Sequence, residues 1–304
     1  MTCQVMATRG PRARMRPHDH PRPHPTKPGQ PGARDPFGVH LRHWRTHRRL
    51  SQLDLAQEAE VSTRHLSYVE TGRAAPSREM VLRLAERLDV PLRERNALLV
   101  AAGFAPMYRQ RSLDDPAMAS ARRAVDLVLK GHEPFPALAV DRHWNLVAYN
   151  ALVPLLMEGA SAELVTPPVN VLRLSLRPDG LASRIANLAQ WRAHLLERLQ
   201  QQIAATGDRV LVELHDELAA YPVPHVGHDT PPAGGELSGV VVPFQLVTPN
   251  GVLSFISTTT IFGTPVDITL QELAVESFFP ADAQTAAALT ALAAQAKAQA
   301  AAAG

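Results

Sequence analysis

Residues 50–77 read LSQLDLAQEAEVSTRHLSYVETGRAAPS, and their reading decides the fold of the first third of the chain. Ser51 stands three residues ahead of Asp54, a capping signature, so a helix is predicted from Gln52. Leu53, Leu55, Ala56 and Ala59 supply its apolar face. Glu60 and Val61 make a short turn. Ser62 caps a second helix over residues 63–70, with Leu66 and Val69 inward. Gly72 provides the residue tolerant of positive φ that ends it. Pro76 and Ser77 then open another helix.

Outward from this core, Phe37, Leu41 and Trp44 recur at helical spacing and predict a preceding amphipathic helix. Met80, Val81, Leu84, Ala85 and Leu88 line the helix after Ser77. Pro91 stops it, and residues 92–102 form a fifth helix ending at Gly103. The second and third helices, crossed through a tight turn, have helix-turn-helix geometry, in which the latter enters the DNA major groove. The amides near Gln52 point at a phosphate. Ser62, Thr63, Arg64, Ser67 and Tyr68 lie at the outward start of the third helix. Arg64 suits guanine O6 and N7, Thr63 a thymine methyl, and Arg73 a phosphate.

Composition bounds the rest. The 304 residues suggest two domains, and 45% hydrophobic with 20% charged residues fits a globular chain. No apolar stretch approaches the ~20 residues of a membrane span. No signal-peptide core is seen, and the single Cys3 excludes an intramolecular disulfide. A cytoplasmic protein is the expectation. Residues 1–123 hold 22 Lys and Arg against 12 Asp and Glu, while residues 124–304 hold 9 against 17. This asymmetry suggests that the first part alone meets a polyanion.

Residues 1–35 are rich in Pro, Arg and His and are expected to be disordered. They are either a basic arm on phosphates or an over-extended start. Residues 104–120 read as a linker with few anchors. Residues 121–283 read as an α+β layer domain, so the whole chain is expected to be α+β and multidomain. Its expected elements are a helix at 121–129 and strands at 137–140 and 146–149 around the turn Asp141–Asn145. A long helix at 181–203 and another capped by Asp208 follow. Strands at 238–247 and 252–261 flank Thr248-Pro249-Asn250-Gly251, a hairpin signal. Residues 284–304 read as an Ala-rich tail, either a frayed helix or disordered.

The stretch from Leu50-Ser51-Gln52 through Leu55-Ala56, Val61-Ser62, Leu66, Val69-Glu70 and Gly72 resembles an Xre/Cro-type helix-turn-helix over residues 37–103. In that family the positions of Gln52, Ser62, Thr63, Arg64 and Tyr68 commonly face DNA. The longer pattern, with DRHWNLVAYN, NLAQWRAHLLERL and SFISTTTIFGTPVDITLQELAVESFFPAD, resembles MmyB-like transcription regulators over about residues 37–283. The resemblance implies a PAS-like ligand-binding domain behind the Xre-type head and a small, apolar or fatty-acid-like effector.

Within that second domain, Trp144, Asn150, Trp191, Arg192 and His194 are the candidate ligand contacts. An Arg beside an apolar cavity can hold a carboxylate. Their ordinary roles would be core packing for the tryptophans, a turn or cap for Asn150 and a solvated helix face for Arg192. The Ser257–Thr260 run reads as a strand with a polar face. No catalytic residue, resident cofactor or metal site is expected. The chain lacks a nucleophile elbow and a phosphate loop, and only His215-Asp216 and His225/His228/Asp229 resemble metal clusters. The expected partners are double-stranded DNA with a pseudo-palindromic operator, an effector and a second copy of the chain, with no membrane. The alternatives are an enzymatic or haem-, flavin- or metal-sensing C-terminal domain, and an interaction module that does not bind DNA.

Overall fold

The computed structural model describes residues 36–222, 241–263 and 267–303. The leader 1–35, the His225/His228/Asp229 cluster and residues 238–240 of the anticipated strand lie outside the described residues.

The head comprises α1 (Phe37–His47), α2 (Gln52–Glu58), α3 (Thr63–Glu70), α4 (Arg78–Arg87) and α5 (Leu92–Ala101). The box at α2 is complete: the Asp54 amide donates to Ser51 Oγ at 3.1 Å, and the Ser51 amide donates to the Asp54 carboxylate at 2.9 Å. Ser62 and Ser77 cap α3 and α4 through the amides of His65 and Met80. Every helix of the head ends the same way. Arg49, Glu60, Gly72, Asp89 and Gly103 all have positive φ. After each, the next amide reaches back to the last turn, as Val61 N–H does to Ala56 and Phe104 N–H to Leu99. This is the Schellman pattern, with Leu50, Val61, Val90 and Phe104 as its apolar anchors.

Leu41, Leu55, Leu66, Leu84, Leu88, Leu98 and Leu99 are fully buried in one core with Trp44 and Phe37. Each such leucine contributes ~1.5–3 kcal/mol relative to an exposed one. Leu53 differs from the expectation: it is 53% exposed, on the solvent side of α2. Gly38 is where α1 crosses the end of α3. A Cβ there would lie 2.3 Å from the Glu70 carbonyl oxygen, so no larger residue fits.

The second domain runs α6 (Ala119–Gly131), β1 (Ala137–Val140), β2 (Leu146–Tyr149), α7 (Val153–Met157), α8 (Ala162–Val165), α9 (Val171–Leu176), α10 (Leu188–Thr206) and α11 (Arg209–Ala220). It continues with β3 (Phe244–Thr248), β4 (Gly251–Ile261), α12 (Ile268–Gln271), β5 (Ala274–Pro280) and α13 (Ala283–Ala303). One five-stranded antiparallel sheet has the order β2-β1-β5-β4-β3. Alternation along the strands divides it into two faces. Ala137, Ala139, Ala148 and Val275 pack with Val125 and Leu129 of α6. Leu138, Leu146, Phe244 and Phe278 belong to the larger core with α9, α10 and α11. The protein is α+β and multidomain, as expected.

Several expectations need correction. The helix expected at 181–203 is broken: a 3-10 turn at Ala182–Arg184 precedes α10, and Ile185 pairs instead with Leu246 of β3. The Ala186 amide donates to the Gln245 carbonyl at 2.9 Å, a sheet contact that outweighs local helical preference. The Ala-rich segment is a packed helix rather than a loose tail. Leu289 of α13 is fully buried in the large core, and α13 lies against β4 and β5. The linker is anchored. Asn96 holds the backbone of Met107 and Tyr108, Ile268 N–H donates to the Arg109 carbonyl, and Leu113 and Met118 are buried. The central strand β5 and the short helices α7, α8 and α9 were not anticipated from the sequence, although Asn170 caps α9 through the Arg173 amide.

Candidate functional sites

On the outer side of α3, Tyr68 gathers two arginines. Arg64 Nε donates to the Tyr68 hydroxyl at 3.1 Å, and the guanidinium carbons of Arg64 and Arg73 lie 5.4 and 6.0 Å from its ring centre. Ser62, Arg64 and Arg73 are exposed, and Thr63, Ser67 and Tyr68 are half-buried. The structure therefore brings Arg64, Tyr68 and Arg73 together and leaves Ser62, Thr63 and Ser67 accessible on the same helix. Gln52 is different: its side-chain amide donates to the Glu70 carboxylate at 2.7 Å.

Glu70 is the internal brace of this surface. Its side chain is fully buried and receives both arms of Arg45, at 2.6 and 3.0 Å. Arg45 also donates to the Leu50 carbonyl at the α1–α2 junction. Burial alone would raise the Glu70 carboxyl. The bonds from Arg45 and Gln52 and the charges of Arg45 and Arg42 outweigh it and hold the group below the ordinary carboxylate range. One carboxylate thus fixes the mutual orientation of α1, α2 and α3.

The second site lies between the sheet and α7, α9 and α10. It is a cavity of about 100 Å³ lined by Leu138, Leu146, Val153, Leu156, Met157, Leu172, Leu174, Leu181, Leu195, Phe244 and Phe278, with Trp144 and Trp191. Its polar side chains are Ser175, Ser257, Arg198 and Glu276. Arg198 Nη2 lies 2.5 Å from Glu276 Oε1, and Nη1 3.1 Å from Oε2. The Arg198 guanidinium also stands over the Trp144 ring. Trp191 Nε1–H donates to Ser175 Oγ at 3.0 Å.

Trp144 adopts φ 68°, a left-handed conformation that costs a bulky residue ~1–2 kcal/mol. The turn around it holds that conformation. Asp141 accepts from the amides of His143 and Asn145, Asn170 donates to the His143 carbonyl, and Gln202 donates to the Arg142 carbonyl. Gln202 in turn accepts from the Trp144 indole N–H at 2.9 Å. Backbone strain held by its surroundings is a feature of ligand sites.

Of the five candidate ligand contacts, the structure brings Trp144 and Trp191 to the cavity and leaves three outside its lining. Asn150 is buried and used by backbone: its side chain accepts from the amides of Ala137 and Leu152 and donates to the carbonyls of Leu129 and Phe135. Arg192 donates to the Leu218 and Ala219 carbonyls and so closes the end of α11. His194 lies behind Trp191, ring centres 5.5 Å apart, with burial and then the Arg198 charge lowering its pKa. The cavity arginine is Arg198. Its signal was present in the sequence: Trp191, Leu195 and Arg198 follow i, i+4, i+7 on one face of α10, from which Arg192 is turned away, whereas His194, at i+3, flanks the same face without reaching the lining.

The two parts of the chain are joined by a polar bridge. Arg93 of α5 makes two bonds to Glu272, at 2.7 and 2.8 Å, and the Leu92 amide donates to Gln271 at 2.6 Å. Arg142, beside Trp144, contacts both Glu272 and Asp208, and His143 reaches the same Asp208 at 3.0 Å. A cleft of about 740 Å³ lies beside this bridge. Among the described residues no group of three His, Cys, Asp or Glu could hold a metal ion, and no helix is long and apolar enough to cross a membrane.

A helix-turn-helix head followed by an α+β domain with an internal apolar cavity defines a transcription regulator that carries its own ligand-binding domain. The family model described as the MmyB-like transcription regulator ligand binding domain matches residues 121–292, and a helix-turn-helix domain model matches residues 36–98. The chain belongs to the MmyB-like transcription regulators. Relatives named HTH-type transcriptional regulators in Mycobacterium tuberculosis and Mycobacterium bovis are each 27% identical over 201 residues, covering 60% of this chain and 78% of theirs. The family match extends past residue 283 into α13, in keeping with the burial of Leu289.

Proposed function

We propose that the protein is a one-component regulator: a homodimer whose heads bind a pseudo-palindromic operator and whose cavity takes a small effector, either apolar or fatty-acid-like. Arg64 reads a base edge and Arg73 positions the head on phosphate. The carrying observation is a regulator's ligand-binding domain whose cavity is lined mainly by apolar side chains, with one Arg–Glu pair among them. A volume near 100 Å³ is well below the ~300 Å³ of ordinary small-molecule sites. Entry of a chain-bearing effector therefore moves the wall, in which Trp144 already sits in a strained conformation. The route from wall to head is the Trp144 turn, Arg142, Glu272 and Arg93. An effector acts only through its different affinities for the two arrangements of the heads.

DNA retardation at graded salt, with and without the organic-solvent extract of the denatured protein, tests this. Binding that weakens steeply with salt, and that the extract changes, is expected. Salt-insensitive binding, or an extract without small molecules and without effect, would count against it.

A further inference from the structure

On the reading of the cavity as the effector site, we propose that the effector presents an uncharged, hydrogen-bonding head to it, and that Glu276 sets this preference. Arg198 and Glu276 are the two acidic or basic side chains of the lining, and they neutralise each other through two bonds. Thr259 closes the pair: its hydroxyl donates to Glu276 Oε1 at 2.9 Å and accepts from Arg198 at 2.5 Å. One face of the guanidinium is covered by Trp144. Glu276 is 4% exposed, within β5.

An incoming carboxylate meets a guanidinium whose charge is already spent. It must either lie against the Glu276 carboxylate or displace it into an apolar wall, and both leave a buried charge without compensation. An ammonium head meets the mirror problem at Arg198. Of the neighbouring ionisable groups, His194 is biased to its neutral form by burial and by Arg198, so it supplies no offsetting charge. An alcohol, amide or ester leaves the pair intact and finds hydroxyls at Ser175 and Ser257. The long-chain part then fills the leucine-rich region.

The test uses the full-length protein and three eight-carbon probes that differ only in the head: octan-1-ol, octanoate and octylammonium. Binding is measured by tryptophan fluorescence and calorimetry at about pH 8, where both charged probes are ionised. Octan-1-ol should bind about tenfold or more tightly than either. Glu276→Gln should turn the order toward octanoate by a similar factor, because Arg198 is then unneutralised. A wild-type preference for octanoate, or an unchanged ranking in Glu276→Gln, overturns the proposal and leaves the cavity reading standing. Failure of all three probes to bind overturns both. If Glu276→Gln does not fold, the wild-type ranking alone decides.

Discussion

The guanidinium carbon of Arg198 stands 4.6 Å from the centre of the Trp144 ring. Two elements far apart in sequence, the β1–β2 turn and α10, thereby share one charged contact at the cavity wall. Removing the arginine takes away that contact and leaves Glu276 buried without its partner. Arg198→Ala is expected to cost about 3 kcal/mol in denaturant unfolding. A loss below about 1 kcal/mol would show that the pair is replaceable by water.

Arg64 and Arg73 approach the same Tyr68 ring from different segments, and their substitution should separate reading from positioning. Arg64→Ala is expected to relax preference at one base position, by ~1–3 kcal/mol. Arg73→Ala is expected to weaken all sequences alike and to lower the salt slope by about 0.9. Binding to a randomised operator library distinguishes the two profiles. Identical profiles would contradict the division.

The head should lose stability in acid through Glu70. Its carboxyl is held below the ordinary range in the folded state, so its contribution is present above the unfolded carboxylate value of ~4.3 and is lost as pH falls through the folded value. Glu70→Gln is expected to lower stability near neutrality by about 3 kcal/mol and to flatten the acid limb. Melting curves across pH would show both; an unchanged acid limb would assign it to other carboxylates.

Glu60 ends α2 with φ 55°, where glycine is unstrained. Glu60→Gly should stabilise the head by about 0.5–1 kcal/mol, the relief of left-handed strain exceeding the added chain entropy. A fall in the unfolding midpoint would mean that the glutamate side chain contributes a contact of its own.

Arg93→Ala removes the two bonds to Glu272. Effector and operator should then each bind as before, while the effector's influence on operator affinity falls several-fold, the scale of a coupling of ~1 kcal/mol. Joint titration measures it. Full retention of coupling would place the route elsewhere.

The head was legible in the sequence because its signals are local. Ser51, Ser62 and Ser77 announce three helix starts, and Gly72 and Gly103 mark two of the ends. Arg49, Glu60 and Asp89 do the same work without glycine, so only the apolar residues after them hint at it. The second domain was legible where turns are local, as at Asp141–Asn145 and Asn250-Gly251. It was not legible where partners are remote. β5 pairs with β1 and β4 across more than a hundred residues and between neighbours in sequence, respectively, and its Glu276 looks like a surface residue until Arg198 is placed beside it. Asn150 shows the reverse case: a polar residue ending a strand suggested a ligand contact, but backbone groups use its whole amide.

Among the described residues, both margins of the sheet are partly occupied. Along β2, the Leu146 amide donates to the Val169 carbonyl and the Val171 amide to that of Trp144; along β3, Ile185 and Ala186 meet Leu246 and Gln245. A second chain therefore meets an interrupted ladder at each margin. Self-association by strand addition is disfavoured, and the proposed dimer would form through side chains on helices or sheet faces, contacts that a shift in their packing can make or break reversibly.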